Sequence, residues 1–406
     1  MVLRAFGPLL VIPVGGHTVD AAALTQRERR QSIAAAISCA AVFGITVAVM
    51  APLISLILEG RGVDRTTIGA MASVPAVALI VTNPFLPAMV RRFGLRPFLY
   101  GCLLLEVVLT LLMPVFDSLV AWFILRGLMG ASVNGLFVAS ETWINAVAEE
   151  RSRGRVLAIY GAVLSGSFAL GPLMISFTGT EGWLPFLVAA GLIASAGLPL
   201  LWSSGLSPAF GGRASFNILT FFLVAPTLVA AVFLSAFKEM SMGALLPVYG
   251  VRHGMSEGAA AAMLTACYTG ALLFQLPIGW LADRMNRYLL LILLTACGLA
   301  GALLLPTTVE LDRPFMWLGL GIWIGLFTGT YVVAMTIVGQ RFQGADLVTA
   351  NASFGFLWGL GMLVGPVLSG AAMDIWDPDG FPGVLAAVTT IVLAIALIRR
   401  WQARGC

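Results

Sequence analysis

The chain has 406 residues, of which 59% are apolar types and only 10% are charged, with a formal net charge of +4 and a mean hydropathy of +0.97. A soluble globular domain carries roughly 25% charged residues, so a water-covered surface is excluded and an integral membrane protein is implied. Its slight basicity follows from membrane topology, as shown below, and is no sign of nucleic-acid binding.

Residues 1–32 read as an N-terminal cytoplasmic or interfacial tail. The apolar stretch Phe6–Val14 is too short to span, contains Pro8 and Pro13, and lacks the small-residue cleavage site of a signal peptide. The basic segment TQRERRQ follows it. A membrane helix needs about 20 mostly apolar residues to cross roughly 30 Å of hydrocarbon. Runs of that kind predict spans at 33–58, 67–90, 97–116, 118–147, 155–178, 183–202, 218–248, 258–282, 288–307, 314–338, 346–373 and 382–400. They must be helical, because lipid offers no partner to an open backbone group, and they are too long and uniformly apolar for barrel strands.

The connections are short except for the Ser/Gly/Pro-rich stretch 203–217, which reads as a cytoplasmic linker. It divides the chain into a first six-helix unit, 33–202, and a second with a short tail, 218–406. The expected fold is therefore all-α and integral to the membrane, with twelve transmembrane helices in two pseudo-symmetric six-helix bundles. A cytoplasmic N-terminus leaves only Arg61, Arg65, Arg252 and Arg313 on the outer side and Arg126 and Lys238 inside spans. All other basic residues then fall on the cytoplasmic side. An even helix count returns the C-terminus to that side, so both termini are expected in the cytoplasm. Cys39, Cys102, Cys267 and Cys297 lie in spans and Cys406 ends the chain, so no disulfide is expected. With only His17 and His253, and no cysteine pair at ligand spacing, no metal or other cofactor is expected.

The halves carry a weak internal repeat. Superposing Arg92 on Arg284 aligns Met71 with Met263 and Asp64 with Ser256, and brings Pro52 to Pro247 after a short gap. Each fifth span contains a Gly-Pro, Gly171-Pro172 and Gly365-Pro366. Related six-helix halves are a recurrent design of secondary transporters, with the substrate site at their interface.

GWLADRMNR at 279–287 resembles the G-x-x-x-D-R-x-G-R signature of the major facilitator superfamily, with Gly279, Asp283, Arg284 and Arg287 in place and Asn286 where glycine is usual. The first-half copy, PAMVRRFGLR, keeps Arg92, Gly94 and Arg96 but has Pro87 for the glycine and Arg91 for the aspartate. Residues 140–161, SETWINAVAEERSRGRVLAIYG, are similar to a stretch of the bacterial YcaD-like branch. The resemblance implies a cytoplasmic gate at Gly279, Asp283, Arg284, Arg287, Arg92 and Gly94. Gly279 would permit close helix approach, and Asp283 would hold an arginine or a helix N-terminus in a contact that breaks as the halves rock. It also implies that spans 1, 4, 7 and 10 line a central cavity.

An ionisable group inside a membrane helix costs roughly 2.5–3.5 kcal/mol on insertion scales and is a functional candidate by default. The candidates are Glu106, Arg126, Glu141, Lys238 and Glu239, four of them on expected cavity spans. Lys238 is also the only lysine of the chain. Arg126, Asn134, Phe137 and Glu141 fall on one face of the fourth span at about 100° per residue. Arg126 and Glu239 lie at similar depth, roughly 12 Å from the outer side at 1.5 Å per residue, so a contact across the halves is predicted. Lys238 and Glu239 are sequential, point about 100° apart, and are not expected to pair with each other. Glu106, on an outward-facing span, is expected to satisfy a neighbouring helix. Polar and aromatic residues at helical spacing add Thr46, Tyr160, Ser167, Tyr268, Gln275, Tyr331, Asn351 and Trp358, each singly more often a packing residue than a ligand. Gly321, Gly325 and Gly329 read as a close-packing face.

No GxSxG, HExxH or P-loop is present, and no enzyme activity is expected. The expected function is secondary transport of a small organic solute by alternating access in the inner membrane of a bacterium, coupled to protons through Glu239 or Glu141 and performed by a monomer. Arg126 and Lys238 point to an anionic solute unless paired carboxylates cancel them. The alternative is a lipid or amphiphile carrier, or a receptor-like protein, on the same fold.

Overall fold

A computed structural model describes residues 25–149, 152–202, 225–341 and 344–402. Among these, twelve helices are long and apolar enough to span a membrane. In chain order they are α1 Gln26–Gly60, α2 Arg65–Thr82, α3 Leu95–Leu112, α4 Leu119–Val147, α5 Arg153–Thr178, α6 Leu184–Leu201, α7 Pro226–Arg252, α8 Glu257–Arg284, α9 Arg287–Thr308, α10 Arg313–Arg341, α11 Gly344–Ile375 and α12 Gly380–Gln402. A short helix, Leu86–Phe93, joins α2 to α3, and the turn to α3 requires Gly94 at φ +82°, a conformation costly for any residue with a Cβ.

The linker 203–217 and most of the 1–32 tail lie outside the described residues. What is described of that tail is helical. Thr25 Oγ1 accepts from the Glu28 amide at 3.3 Å, and the Glu28 carboxylate accepts from the Thr25 amide at 3.0 Å. This capping box starts α1 at Gln26 rather than at 33, so the basic segment extends the helix.

Two related bundles result. In the first, α1 packs on α4, α5 and α6, while α2 and α3 flank α4. In the second, α7 packs on α8, α11 and α12, and α10 packs on α8 and α9. α1 and α7 are the innermost helices, with 67% and 78% of their apolar windows buried, against 28% for α2. The aligned repeat positions do the same work in both halves. Asp64 caps α2 through the Thr67 amide, and Ser256 caps α8 through the Ala259 amide. A Cβ on Gly171 would lie 2.6 Å from the Ala48 side chain of α1, and one on Gly365 would lie 2.6 Å from the Phe237 carbonyl of α7. Each Gly-Pro helix therefore approaches the first helix of its own bundle where only glycine fits. The small-residue face of α10 is packed as expected, since a Cβ on Gly270 of α8 would meet the Gly321 carbonyl at 1.9 Å.

The bundles meet through α2 with α11, α5 with α8, and α1 with α7. At the face opposite the described chain ends they are tied together. The Asp374 carboxylate of α11 accepts from the Arg65 and Thr66 amides at the start of α2, at 3.0 and 2.8 Å, and from Thr66 Oγ1 at 2.6 Å. One bundle thus caps a helix of the other, and a negative charge sits at the positive end of that helix. Around it, Arg65 reaches Glu59 at 3.4 Å and Asp377 at 3.5 Å, while Arg252 reaches Glu59 at 3.8 Å and also contacts Asp377. A second seam joins Ser176 Oγ to the Gly258 carbonyl at 2.8 Å, beside a Thr180–Glu257 hydrogen bond. By contrast, α4 and α10 do not pack against each other beyond isolated contacts among the described residues.

Candidate functional site

Between the bundles lies a cavity of about 150 Å³, lined by Ser165 and Phe168 of α5, Glu239 of α7, Tyr268 and Gln275 of α8, and Thr328 and Tyr331 of α10. Four of the residues singled out in the sequence, Glu239, Tyr268, Gln275 and Tyr331, therefore converge on one space. Trp358 stands behind them, its ring 5.0 Å from that of Tyr331 in an edge-on arrangement. Asn351 falls on α11, but its side chain lies outside the described residues.

Lys238 departs from expectation. Its ammonium lies 3.4 Å from Glu239 Oε2, so the sequence neighbours do form an ion pair. The helix sets their Cβ atoms well apart, but the long lysine stem turns back to close the gap. Lys238 is only 2% exposed. It also donates to Thr328 Oγ1 at 2.9 Å and lies 5.4 Å from the Phe327 ring centre. An unpaired charge there would be prohibitive, whereas a paired and hydrogen-bonded one is tolerated. Glu239 keeps 21% of its side chain exposed, so the carboxylate and not the ammonium forms the cavity wall.

The predicted Arg126–Glu239 contact is absent. Glu239 is taken by Lys238, and Arg126 makes no ion pair within 4 Å among the described residues. Arg126 instead lies within electrostatic reach of Glu106 in its own bundle. It borders a separate space of about 40 Å³ with Thr46 and Met240, and Tyr268 borders both cavities. Glu106 is fully buried and accepts a hydrogen bond from Ser132 of α4, so it satisfies a neighbouring helix as expected.

The polar face of α4 divides into separate roles. Asn134 is 2% exposed and donates to Asn83 Oδ1 at 2.7 Å, so it ties α4 to the end of α2 and does not line the cavity. Phe137 stacks on Phe43 with centroids 4.4 Å apart. Glu141 is exposed one turn beyond Phe137 on the same face of α4. Tyr160 and Ser167 serve packing. The tyrosine hydroxyl lies 3.0 Å from Ser140 Oγ, and Ser167 donates to the Val163 carbonyl.

At the other face, the signature residues make local contacts. Asp283 lies 3.6 Å from Arg287 one turn on and is 76% exposed, Arg287 also bonds Gln340 of α10, and Arg284 covers the Trp280 ring at 3.8 Å. None of these contacts reaches the first bundle. Arg92 lies 5.9 Å from the neighbouring Phe93 ring. In this state Gly279 has no close neighbour, since a Cβ there would meet nothing within 4 Å.

Sequence reasoning missed three sets of residues. Thr328, which holds Lys238, had its only signal in being a hydroxyl amid the α10 glycines. Phe43 and Phe168 looked like generic apolar residues. The cluster Glu59, Arg65, Arg252, Asp374 and Asp377 looked like ordinary end-of-helix charge.

The family model described as Major Facilitator Superfamily matches residues 36–256 and 228–404. An uncharacterized MFS-type transporter of Bacillus subtilis (strain 168), YfkF, is 27% identical over 374 residues, spanning 88% of this chain and 92% of that one. YcaD of Escherichia fergusonii, likewise described as an uncharacterized MFS-type transporter, is 25% identical over 368 residues, spanning 87% and 92%. Among solved structures, the nucleoside transporter NupG superposes with a TM-score of 0.72 at 14% identity, covering 91% of this chain and 99% of that one. A bacterial homolog of the human lysosomal transporter Spinster, in an inward-facing and unoccupied conformation, gives 0.72 at 15%, covering 92% and 96%. Two repeated six-helix bundles around a polar central cavity, matched by one family model from α1 to α12, make this chain a member of the Major Facilitator Superfamily that resembles its YcaD-like branch.

Proposed function

We propose that the chain is a secondary active transporter that moves a small organic solute across the bacterial inner membrane by alternating access. In this reading the face bearing the chain ends is cytoplasmic, the 203–217 segment is a cytoplasmic linker, and the described state is closed outward and accessible from the cytoplasm. One observation carries it: a cavity walled in part by Glu239, Gln275 and two tyrosines lies between bundles that are bonded together at one face, while α4 and α10 stay apart. Opening the other face requires breaking the Asp374 cap and the Arg65 and Arg252 ion pairs, which are discrete contacts suited to a two-state element. Asp283, Arg284, Arg287, Arg92 and Gly94 would then form the gate of the opposite state.

Proton coupling is assigned to Glu239 or Glu141. Protonating Glu239 would release Lys238 from its partner, so proton and solute occupancy would be linked through one ion pair. A monomer suffices, because the cavity is built from one chain.

The test is proteoliposomes loaded with the pH dye pyranine and challenged with soluble organic acids, amines and sugars. A solute-dependent change of internal pH is expected. Glu239→Gln or Glu141→Gln should move the same solute without the pH response. Full pH-gradient dependence in both variants refutes the proton assignment. Complete absence of solute flux refutes the transport reading and favours a carrier of lipids or amphiphiles.

A further inference from the structure

Resting on the transporter reading, we infer that the cavity takes an organic cation with an aromatic or branched apolar portion. The first ground is charge. Of the five ionisable side chains inside spans, the two cations are both withdrawn from the cavity. Lys238 is 2% exposed against Glu239, and Arg126 is 5% exposed within reach of Glu106. Lys238 and Glu239 cancel as a pair, and Arg126 does not line the cavity and has the buried Glu106 of its own bundle as its charge counterpart. Glu141 is left over, exposed one turn beyond Phe137 on α4 and with no ion-pair partner among the described residues. The charged group on the cavity wall is thus the Glu239 carboxylate, and the unmatched charge on α4 is a second carboxylate, so the space is net acidic. The anionic solute expected from the bare presence of Arg126 and Lys238 does not suit it.

The second ground is the aromatic lining. Phe137 and Phe43 stack at 4.4 Å, Phe43 and Phe168 approach at 6.3 Å, and Phe168 and Tyr268 at 5.5 Å. This chain of rings runs from α4 and α1 through α5 to α8 and so crosses from one bundle to the other. Tyr331 and Trp358 form a second aromatic pair beside the same cavity. Ring faces carry negative quadrupole density that attracts ammonium groups, while Leu272, Ile278 and Val332 of the same wall accept apolar substituents. Rings and carboxylates thus favour the same sign of ligand. The space beside Arg126, at about 40 Å³, is too small for an organic anion of comparable size.

Phenyltrimethylammonium and benzenesulfonate have equal numbers of non-hydrogen atoms and similar shapes but opposite charge. Their binding to the full chain in nanodiscs, measured by equilibrium dialysis against empty nanodiscs, tests the inference. The cation should bind and the anion should not. Glu141→Gln and Glu239→Gln should each weaken the cation on the order of tenfold, and Glu141→Asp should recover most of the loss. Equal or stronger binding of benzenesulfonate, unchanged affinity in both glutamine variants, or binding of neither ion overturns the cationic assignment. The transport reading stands or falls separately, on whether any solute crosses the proteoliposome membrane.

Discussion

Asp374→Ala gives the sharpest perturbation of the proposed cycle. The carboxylate accepts from two amides and one hydroxyl of α2, and it belongs to the other bundle, so its contacts exist only while that face is closed. Losing a helix cap costs about 0.5–2 kcal/mol. Removing a charge from the positive end of a helix costs about 0.3–1 kcal/mol more. The closed-outward state should therefore lose about 2 kcal/mol, which is roughly a thirtyfold change in the equilibrium. If the alternative state starts at about 1%, it should rise to roughly a quarter of the population. Spin labels at Ser118→Cys and Glu310→Cys sit on exposed turns of the two bundles at the latched face and report this as a pulsed electron–electron distance. The native cysteines are replaced in this background. A second, longer distance should appear in Asp374→Ala and be weaker in Asp374→Asn, which keeps one acceptor oxygen. A distance distribution identical to that of the unmodified chain in both variants would refute the latch.

Packing and pairing give further expectations. Gly69→Ala places a Cβ 2.1 Å from the Pro366 carbonyl of α11 and should cost about 1–3 kcal/mol through overpacking. A lowered thermal midpoint in detergent is the readout, with Gly60→Ala, whose Cβ meets nothing, as the neutral control. Lys238→Met and Glu239→Gln should each destabilise, but their combination should cost less than the sum. A coupling of about 0.5–3 kcal/mol in a double-mutant cycle is expected, and additivity would show that the 3.4 Å pair does not hold in the membrane. Ser132→Ala leaves the buried Glu106 carboxylate without its donor and should lower stability by about 1–3 kcal/mol. Ser195→Ala, an exposed serine bonded only to its own helix, should leave the midpoint unchanged.

The spans and the repeat were legible because they depend on patterns that a chain must carry along its length. Apolar runs of membrane length are read directly, and Asp64 and Ser256 proved to be equivalent caps because capping is a local property of a few consecutive residues. The site was legible in part. Helical spacing was enough to single out Tyr268, Gln275 and Tyr331 one by one, but only the docking of α7, α8 and α10 gathers them around Glu239. Spacing gives no information on where a long side chain ends. That is why Lys238 was expected to look away from Glu239, and why Asn134 was expected in the cavity although α2 claims it. Gly279 shows a different limit: a small residue permits close approach without requiring it. The latch at the face opposite the described chain ends could not be read at all. Its members are scattered between Glu59 and Asp377, and only the docking of α1, α2, α7 and α11 brings them within bonding distance.

Lys238 has one more consequence, for chemistry applied from outside. The only ε-amino group of this chain lies buried between α7 and α10, capped by Thr328 and Glu239. Acylating reagents that mark lysine on most proteins should leave the folded bundles of this chain untouched. They should react there only when α7 and α10 separate, so the rate of amine modification at Lys238 becomes a clock for the opening of the second bundle. Among the described residues no other lysine contributes background, which makes a single modified peptide a direct count of those events.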